Sequence, residues 1–153
     1  MSTELRIREA APADAELVLA MVREIADHQD QGEHVTITAD RWRELLARPE
    51  VTVLIAERDG AALGYVSAVR RLHLWSGGDV IGLDDLYVRE AARDLGVGKA
   101  LMLELSRLAQ PEQLTIAWGV EPHNEGAIRF YDRLGAYLRN KVVVSWPASQ
   151  RPS

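Results

Sequence analysis

The chain contains no cysteine among its 153 residues. It can therefore form no disulfide, offer no thiolate ligand to a metal ion and use no cysteine nucleophile. The four histidines, His28, His34, His73 and His123, show none of the paired spacing that is typical of metal ligands. We therefore expect no metal site.

Long apolar runs and an excess of basic residues are also missing. No apolar run approaches the ~18 residues that a membrane-spanning helix requires, and the N-terminus MSTELRIREA lacks the apolar core of a signal peptide. These features predict a cytoplasmic protein that uses no membrane. Lys and Arg number 18 against 23 Asp and Glu, which gives a net charge of −5. The acidic balance disfavours nucleic acid as a partner and favours cationic ligands.

The remaining composition is that of a globular protein. Hydrophobic residues make up 47% of the chain and charged residues 27%, and a chain of this length suits one domain with one core. We predict a single domain over residues 1–146. The final segment PASQRPS, residues 147–153, has the composition of a disordered tail.

Helical and strand patterns alternate along the chain. Apolar residues from Leu17 to Ile25 recur at helical spacing, and Thr38 is placed to cap a second helix. Two apolar runs flank the turn sequence RDGA and predict a β-hairpin. The pattern predicts an α/β fold, a mixed sandwich of helices on one sheet. We expect strands near residues 5–7, 51–57, 63–69, 80–88, 114–120 and 142–144, and helices near 14–25, 38–46, 98–109 and 124–134.

A glycine-containing loop lies between the predicted strand 80–88 and the helix that follows it. A Walker A loop would need glycine where Arg93 stands and a hydroxyl where Ala100 stands. A dinucleotide fingerprint would need a third glycine at Leu101. The loop instead reads Arg-x-x-Gly-x-Gly, from Arg93 to Gly98. Its amides and the dipole of the following helix favour binding of a pyrophosphate.

Two blocks of the sequence together resemble the GNAT N-acetyltransferase superfamily. The first is the Arg93 to Gly98 loop with the preceding strand LDDLYV, and the second is EPHNEGAIRFYDRLGA, residues 121–136. Their order and separation also agree with the family, and the nearest likeness is to spermidine/spermine N-acetyltransferases. The resemblance implies a mixed, mostly antiparallel sheet with helices on both faces, acetyl-CoA as co-substrate, no metal and a homodimer.

The resemblance also implies which residues bind acetyl-CoA. The strand before the loop would meet the pantetheine arm, which lies where this strand separates from the next one. The loop would hold the pyrophosphate, mainly through backbone amides, although Asp94 is a residue that many relatives replace with glycine or a basic residue. The implied cofactor-binding residues are Leu86, Tyr87, Val88, Arg93, Asp94, Leu95, Gly96, Val97, Gly98, Lys99, Ala100, Trp118, Gly119, Asn124, Ala127 and Tyr131.

Two side chains are implied as catalytic. Tyr131 would protonate the departing CoA sulfur, and a phenol of pKa ~10 beside a thiol of pKa ~8.5 makes that transfer feasible. Asp84 would accept the proton of the amine, through water, with Asp85 as the reserve candidate. The two carboxylates are adjacent on a strand and should face opposite sides. Both also count as candidate acceptor-binding residues.

The acceptor side is the least defined part of the sequence. His28 and Gln29 follow the first helix, where related enzymes shape the acceptor site, and Asp27, Asp30 and Glu33 make the region acidic. We expect acetyl transfer to a primary amine of a small cationic molecule. Alternatives are an acetyltransferase for an amino acid, a peptide N-terminus or an aminoglycoside-type drug, a non-catalytic acyl-CoA-binding module, and a structural or interaction domain.

Overall fold

The computed structural model describes residues 4–152. Residues 1–3 of the predicted domain and Ser153 of the predicted tail therefore lie outside the described residues. The chain divides between Trp118 and Gly119 into two compact units. The assignment of residues 1–146 to one domain and of the last residues to a disordered tail stays a prediction.

Within residues 4–152, the first unit holds a sheet and three α-helices, and the second unit holds one α-helix. The strands are β1 (Arg6–Glu9), β2 (Val51–Arg58), β3 (Ala61–Leu72), β4 (Asp79–Val88) and β5 (Ile116–Ala117). The helices are α1 (Ala15–His28), α2 (Ala39–Leu46), α3 (Val97–Ala109) and, in the second unit, α4 (Glu125–Leu134).

The five strands form one sheet in the order β1-β2-β3-β4-β5. The first three pairings are antiparallel and the pairing of β4 with β5 is parallel. This confirms the mixed, mostly antiparallel sheet. The β2–β3 turn explains why these strands pair, because Asp59 (φ 52°) and Gly60 (φ 79°) both adopt the left-handed conformation that a tight two-residue hairpin turn needs.

Helices cover both faces of the sheet. Four consecutive residues of β2, Val53 to Ala56, are buried, so neither face of this strand meets solvent. On one face Val53 and Ile55 pack in a cluster with Val18 and Met21 of α1. On the other face, Leu105 of α3 lines a small cavity together with residues of β2, β3 and β4. The predicted arrangement of helices is confirmed.

The sheet opens along one edge of β4. Pairing between β4 and β5 is confined to Ile81 with Ile116 and Gly82 with Ala117. Beyond Gly82, the remainder of β4 has no strand partner on that side in the part of the chain that the structure describes. A parallel pair that separates after two residues leaves backbone N–H and C=O groups of β4 available to a ligand.

On its other side β4 is held very close to β3. A Cβ atom placed on Gly64 would lie 2.3 Å from the carbonyl oxygen of Tyr87, so only glycine allows this approach. The register of the two strands shifts between Ser67 and Ala68. Ser67 pairs with Asp85 and Ala68 with Leu83, which leaves Asp84 as the extra residue of a β-bulge.

Two strand predictions differ from the structure. The last predicted strand, Val142–Val144, is wrong, since these residues lie in no strand and are exposed. β-Branched residues favour a strand only where a neighbouring strand and a buried face are present. The strand predicted over residues 114–120 shrinks to Ile116–Ala117, because its pairing with β4 ends there.

No helix within residues 4–152 is both long and apolar enough to cross a membrane.

Candidate active site

The backbone of the loop before α3 is left-handed at two positions. Asp94 (φ 64°) and Gly96 (φ 78°) both adopt the left-handed conformation. Asp tolerates this conformation better than most residues, which explains why a carboxylate stands there. Gly96 occupies the cap position and has no side chain that could bond to the helix. The backbone N–H groups of Val97, Gly98 and Lys99 in the first turn can therefore donate to a ligand.

The flanks of this loop anchor it to the first unit. Val97 is buried and fixes the start of α3. The Arg93 side chain is exposed, and its Nε donates to the carbonyl oxygen of Val88 at 3.3 Å, which ties the loop to the end of β4. The guanidinium thus lies beside the strand residues that are predicted to meet the pantetheine arm.

A cleft of about 280 Å³ lies next to this loop. One wall comes from the last turn of α1 and the other from the end of β4. The cleft therefore brings together predicted acceptor residues and predicted cofactor residues within the first unit. The residues that line it are Ile25, His28, Gln29, Leu86, Tyr87, Val88 and Arg93.

A hydrogen-bonded cluster joins the two walls of the cleft through the Tyr87 hydroxyl. The Tyr87 hydroxyl donates to Oε1 of Glu24 at 3.0 Å. Arg89 donates to both oxygens of the same carboxylate, at 2.9 Å from Nε and 2.8 Å from Nη2. The bond from Arg89 and that from Tyr87 hold the pKa of Glu24 below its usual range, while burial and the Glu24 carboxylate raise the pKa of Tyr87.

The two neighbouring aspartates of β4 have different environments. The buried Tyr65 hydroxyl donates to Oδ2 of Asp85 at 2.9 Å, and the Asp85 N–H donates to Oγ of Ser67 at 3.2 Å. Asp84 is exposed at the bulge. Its solvent access makes the desolvation partial, yet that desolvation and the charge of Asp85 raise the pKa of Asp84. Among the described residues, those lining the cleft include neither aspartate.

The second unit carries the predicted site residues of α4 and of its N-cap. Asn124 caps this helix, since its Oδ1 accepts from the Ala127 N–H at 3.2 Å. Tyr131 is half-buried, and its ring centroid lies 5.5 Å from that of Phe130. Gly135 ends the helix in the left-handed conformation (φ 92°). Trp118 ends the first unit and Gly119 begins the second.

Sequence reasoning missed three residues of this site, namely Glu24, Arg89 and Tyr65. Glu24 had one usable signal, because it stands one helical turn before His28 and therefore on the same side of α1. Arg89 and Tyr65 had none, since a charged residue after a strand and an aromatic residue within one are both common. No group of three or more potential metal ligands is present between residues 4 and 152.

Comparison with known proteins identifies the family. The model described as the Acetyltransferase (GNAT) family matches residues 19–136, which is more than half of the chain. The chain belongs to this family. It is therefore an acetyltransferase, as the two sequence blocks predicted, and the loop from Arg93 to Gly98 falls inside the matched region.

Two curated relatives of the chain bear the names of N-acetyltransferases or of proteins like them. It is 29% identical over 126 residues to a thialysine N-epsilon-acetyltransferase of Caenorhabditis elegans, covering 79% of this chain and 76% of the relative. It is 27% identical over 146 residues to the human spermidine/spermine N(1)-acetyltransferase-like protein 1, covering 86% of this chain and 20% of the relative. The likeness to the spermidine/spermine group is thereby confirmed.

A solved structure agrees in fold. AAC(6′)-Iy, in complex with the bisubstrate analogue CoA-S-monomethyl-acetylneamine, matches with a TM-score of 0.76 at 21% identity. The match covers 94% of this chain and 98% of that chain. The arrangement of sheet and helices is thus that of a GNAT acetyltransferase.

Proposed function

We propose that this protein transfers the acetyl group of acetyl-CoA directly to a primary amine of a small cationic molecule. The observation that carries the proposal is the cleft between α1 and β4, in which His28 and Gln29 face Leu86, Tyr87, Val88 and Arg93. One wall thus comes from the expected acceptor side and the other from the expected cofactor side. Binding both reactants in one cleft supplies proximity, which is a large part of catalysis in a direct transfer.

Acetyl-CoA is the proposed co-substrate. The first-turn amides of α3 and the Arg93 guanidinium suit the pyrophosphate. The part of β4 beyond Gly82, which has no strand partner on that side among the described residues, suits the amide groups of the pantetheine arm. The solved GNAT structure with a CoA-containing bisubstrate analogue supports the same assignment.

The reaction would begin with attack of the neutral amine on the thioester carbonyl. An alkylammonium has a pKa of ~10.4, so only about one molecule in a thousand is neutral at pH 7. Asp84, whose pKa is raised, would accept the amine proton through water. Backbone N–H groups of β4 would stabilise the oxyanion. The C–S bond then breaks, and Tyr131 would donate the proton that the CoA sulfur takes up.

The acceptor is proposed to carry a second positive charge or to be an amino acid with a side-chain amine. Asp30 and Glu33 are exposed in the loop after α1 and give that side of the first unit a negative charge. The thialysine N-epsilon-acetyltransferase relative supports an amino-acid acceptor as the second candidate. Cytoplasmic location and a homodimer are proposed from the sequence and the family resemblance alone.

Acetyl-CoA is expected to stabilise the protein against heat. At a hundred times the dissociation constant, linkage gives ~2.7 kcal/mol. For a chain of this size that free energy corresponds to a rise in Tm of roughly 5–10 °C. Gly98→Val should remove the rise, because a branched side chain would obstruct close approach of the pyrophosphate to the amides. Ser106→Val, at an exposed position of the same helix, should keep it. A scan without any shift in the unaltered protein would rule out acetyl-CoA.

A panel of amines should identify the acceptor class. Release of CoA thiol is measured with diamines, polyamines, lysine-like amino acids, a peptide N-terminus, an aminoglycoside and anionic amines. We expect turnover with small cationic amines and at least tenfold lower kcat/KM with anionic ones, because the loop that contains Asp30 and Glu33 repels negative charge. A preference for anionic acceptors would contradict the proposal, and acetyl-CoA binding without turnover of any amine would favour a non-catalytic module.

A further inference from the structure

Glu24 connects the two walls of the cleft, although it is not among the residues that line it. It lies on the last turns of α1, immediately before Ile25 and one turn before His28. Its carboxylate accepts bonds from Tyr87 at the end of β4 and from Arg89 just beyond it. Arg89 in turn donates from Nη1 to the carbonyl oxygen of Ala62 in β3 at 3.0 Å. One carboxylate therefore fixes the spacing between α1 and two neighbouring strands.

The same contacts determine how Tyr87 presents its hydroxyl. A phenol has one proton to donate and oxygen lone pairs that accept. The proton is committed to Glu24, so the oxygen can offer a second partner only its lone pairs. The ring is held in place from two sides, since its centroid lies 6.1 Å from that of His28 and 6.2 Å from that of Tyr65.

We propose that Glu24 is a positioning residue for the acceptor amine and that it acts through Tyr87. By accepting the hydrogen bond that the phenol donates, Glu24 leaves the Tyr87 oxygen as a hydrogen-bond acceptor on the wall of the cleft. An oxygen that only accepts favours an acceptor molecule bearing N–H groups, whether ammonium or amine, over one bearing a carboxylate or phosphate at that point. Arg89 balances the charge of Glu24, so the selection depends on hydrogen-bond direction rather than on net charge.

This inference rests on the proposed function and makes it more specific. The acidic loop after α1 would attract cations in general, whereas Tyr87 would recognise a nitrogen that donates hydrogen bonds. Quaternary amines carry positive charge but have no N–H group. They should therefore inhibit more weakly than primary amines of the same charge and length, and this difference separates Tyr87 from a purely electrostatic site.

The test compares steady-state kinetics of the unaltered protein with Tyr87→Phe, Glu24→Gln and the double variant. With the best amine of the panel, Tyr87→Phe should raise the KM for the amine at least tenfold. The KM for acetyl-CoA should change less than twofold, because the backbone of β4 is unaltered. Glu24→Gln should also raise the KM for the amine. The double variant should be no more than twofold worse than Tyr87→Phe, because residues that act through one another are not additive.

Tyr137→Phe serves as the matched control, since this tyrosine is exposed and lies outside the cleft. A structural role for Glu24 would lower Tm and leave the ratio of the two KM values unchanged. If Glu24→Gln does not fold, Tyr87→Phe and the comparison of quaternary with primary amines still test whether the Tyr87 hydroxyl binds the acceptor amine. An unchanged amine KM in Tyr87→Phe, with normal turnover, overturns this inference alone. Absence of turnover with every amine overturns the proposed function and this inference together.

Discussion

Replacing Tyr131 with phenylalanine is expected to lower kcat roughly 10²-fold or more, the usual contribution of a positioned acid. The ring and its contact with Phe130 are kept, and only the hydroxyl is removed. Acetyl-CoA affinity, measured by thermal shift or calorimetry, should change less than about twofold. Lower kcat with retained binding indicates an interaction made mainly in the transition state.

The second unit offers a matched control for this experiment. Tyr137 lies beyond α4 and is exposed, so Tyr137→Phe removes an equivalent hydroxyl that has no proposed role. Its kcat should equal that of the unaltered protein. If Tyr131→Phe retains more than half of the parent kcat, Tyr131 is not the acid, and water or another group must protonate the CoA sulfur.

Features of this chain that depend on neighbouring residues could be predicted from the sequence. Thr38 was predicted to cap α2, and its Oγ1 accepts from the Arg41 N–H at 3.1 Å. Gly96 was predicted in the loop before α3, where the backbone needs a left-handed residue. A helix was predicted near residues 124–134, and Gly135 ends α4 in the left-handed conformation. In each case the residue that predicts the feature lies within a few residues of the helix end that it forms.

The hydrogen-bonded cluster of Glu24, Tyr87 and Arg89 could not be predicted, because it joins distant parts of the chain. Glu24 and its two partners Tyr87 and Arg89 are separated by 63 and 65 residues. The one local signal of Glu24 is its position a helical turn before His28, and many surface carboxylates of an amphipathic helix share such a position. For Val142–Val144 the local sequence was misleading. These β-branched residues favour a strand, but no neighbouring strand pairs with them among the described residues.

The β-bulge of β4 gives its two neighbouring aspartates different environments. A regular strand would place them on opposite faces with no preference between them. The shift in register next to Ser67 leaves Asp84 unpaired and exposed, while Asp85 accepts a bond from the buried Tyr65. Asp85 is therefore committed to a structural partner, and partial burial together with the charge of Asp85 raises the pKa of Asp84. Asp84 therefore stays the proposed base, and Asp85 the reserve candidate.

Asp84→Asn is expected to lower kcat/KM at pH 7.5 roughly 10²-fold, because a positioned base typically contributes 10²–10⁴-fold. The base must be deprotonated to act, so the rate should fall on the acid side as Asp84 takes up a proton. Its raised pKa places this fall at a higher pH than the ~3.9 of an ordinary aspartate.

Asp85→Asn supplies the decisive comparison for this last prediction. This variant removes the charge next to Asp84, while the new amide oxygen can still accept a hydrogen bond from Tyr65. The pKa of Asp84 should therefore fall, and the loss of kcat on the acid side should move to lower pH. Asp59→Asn, at the exposed β2–β3 turn, is the control, because asparagine also tolerates the left-handed backbone there. The measurement is the pH profile of kcat under saturating acetyl-CoA. An Asp84→Asn variant that keeps both its rate and its acid-side fall would show that another group, or the amine itself, accounts for the proton transfer.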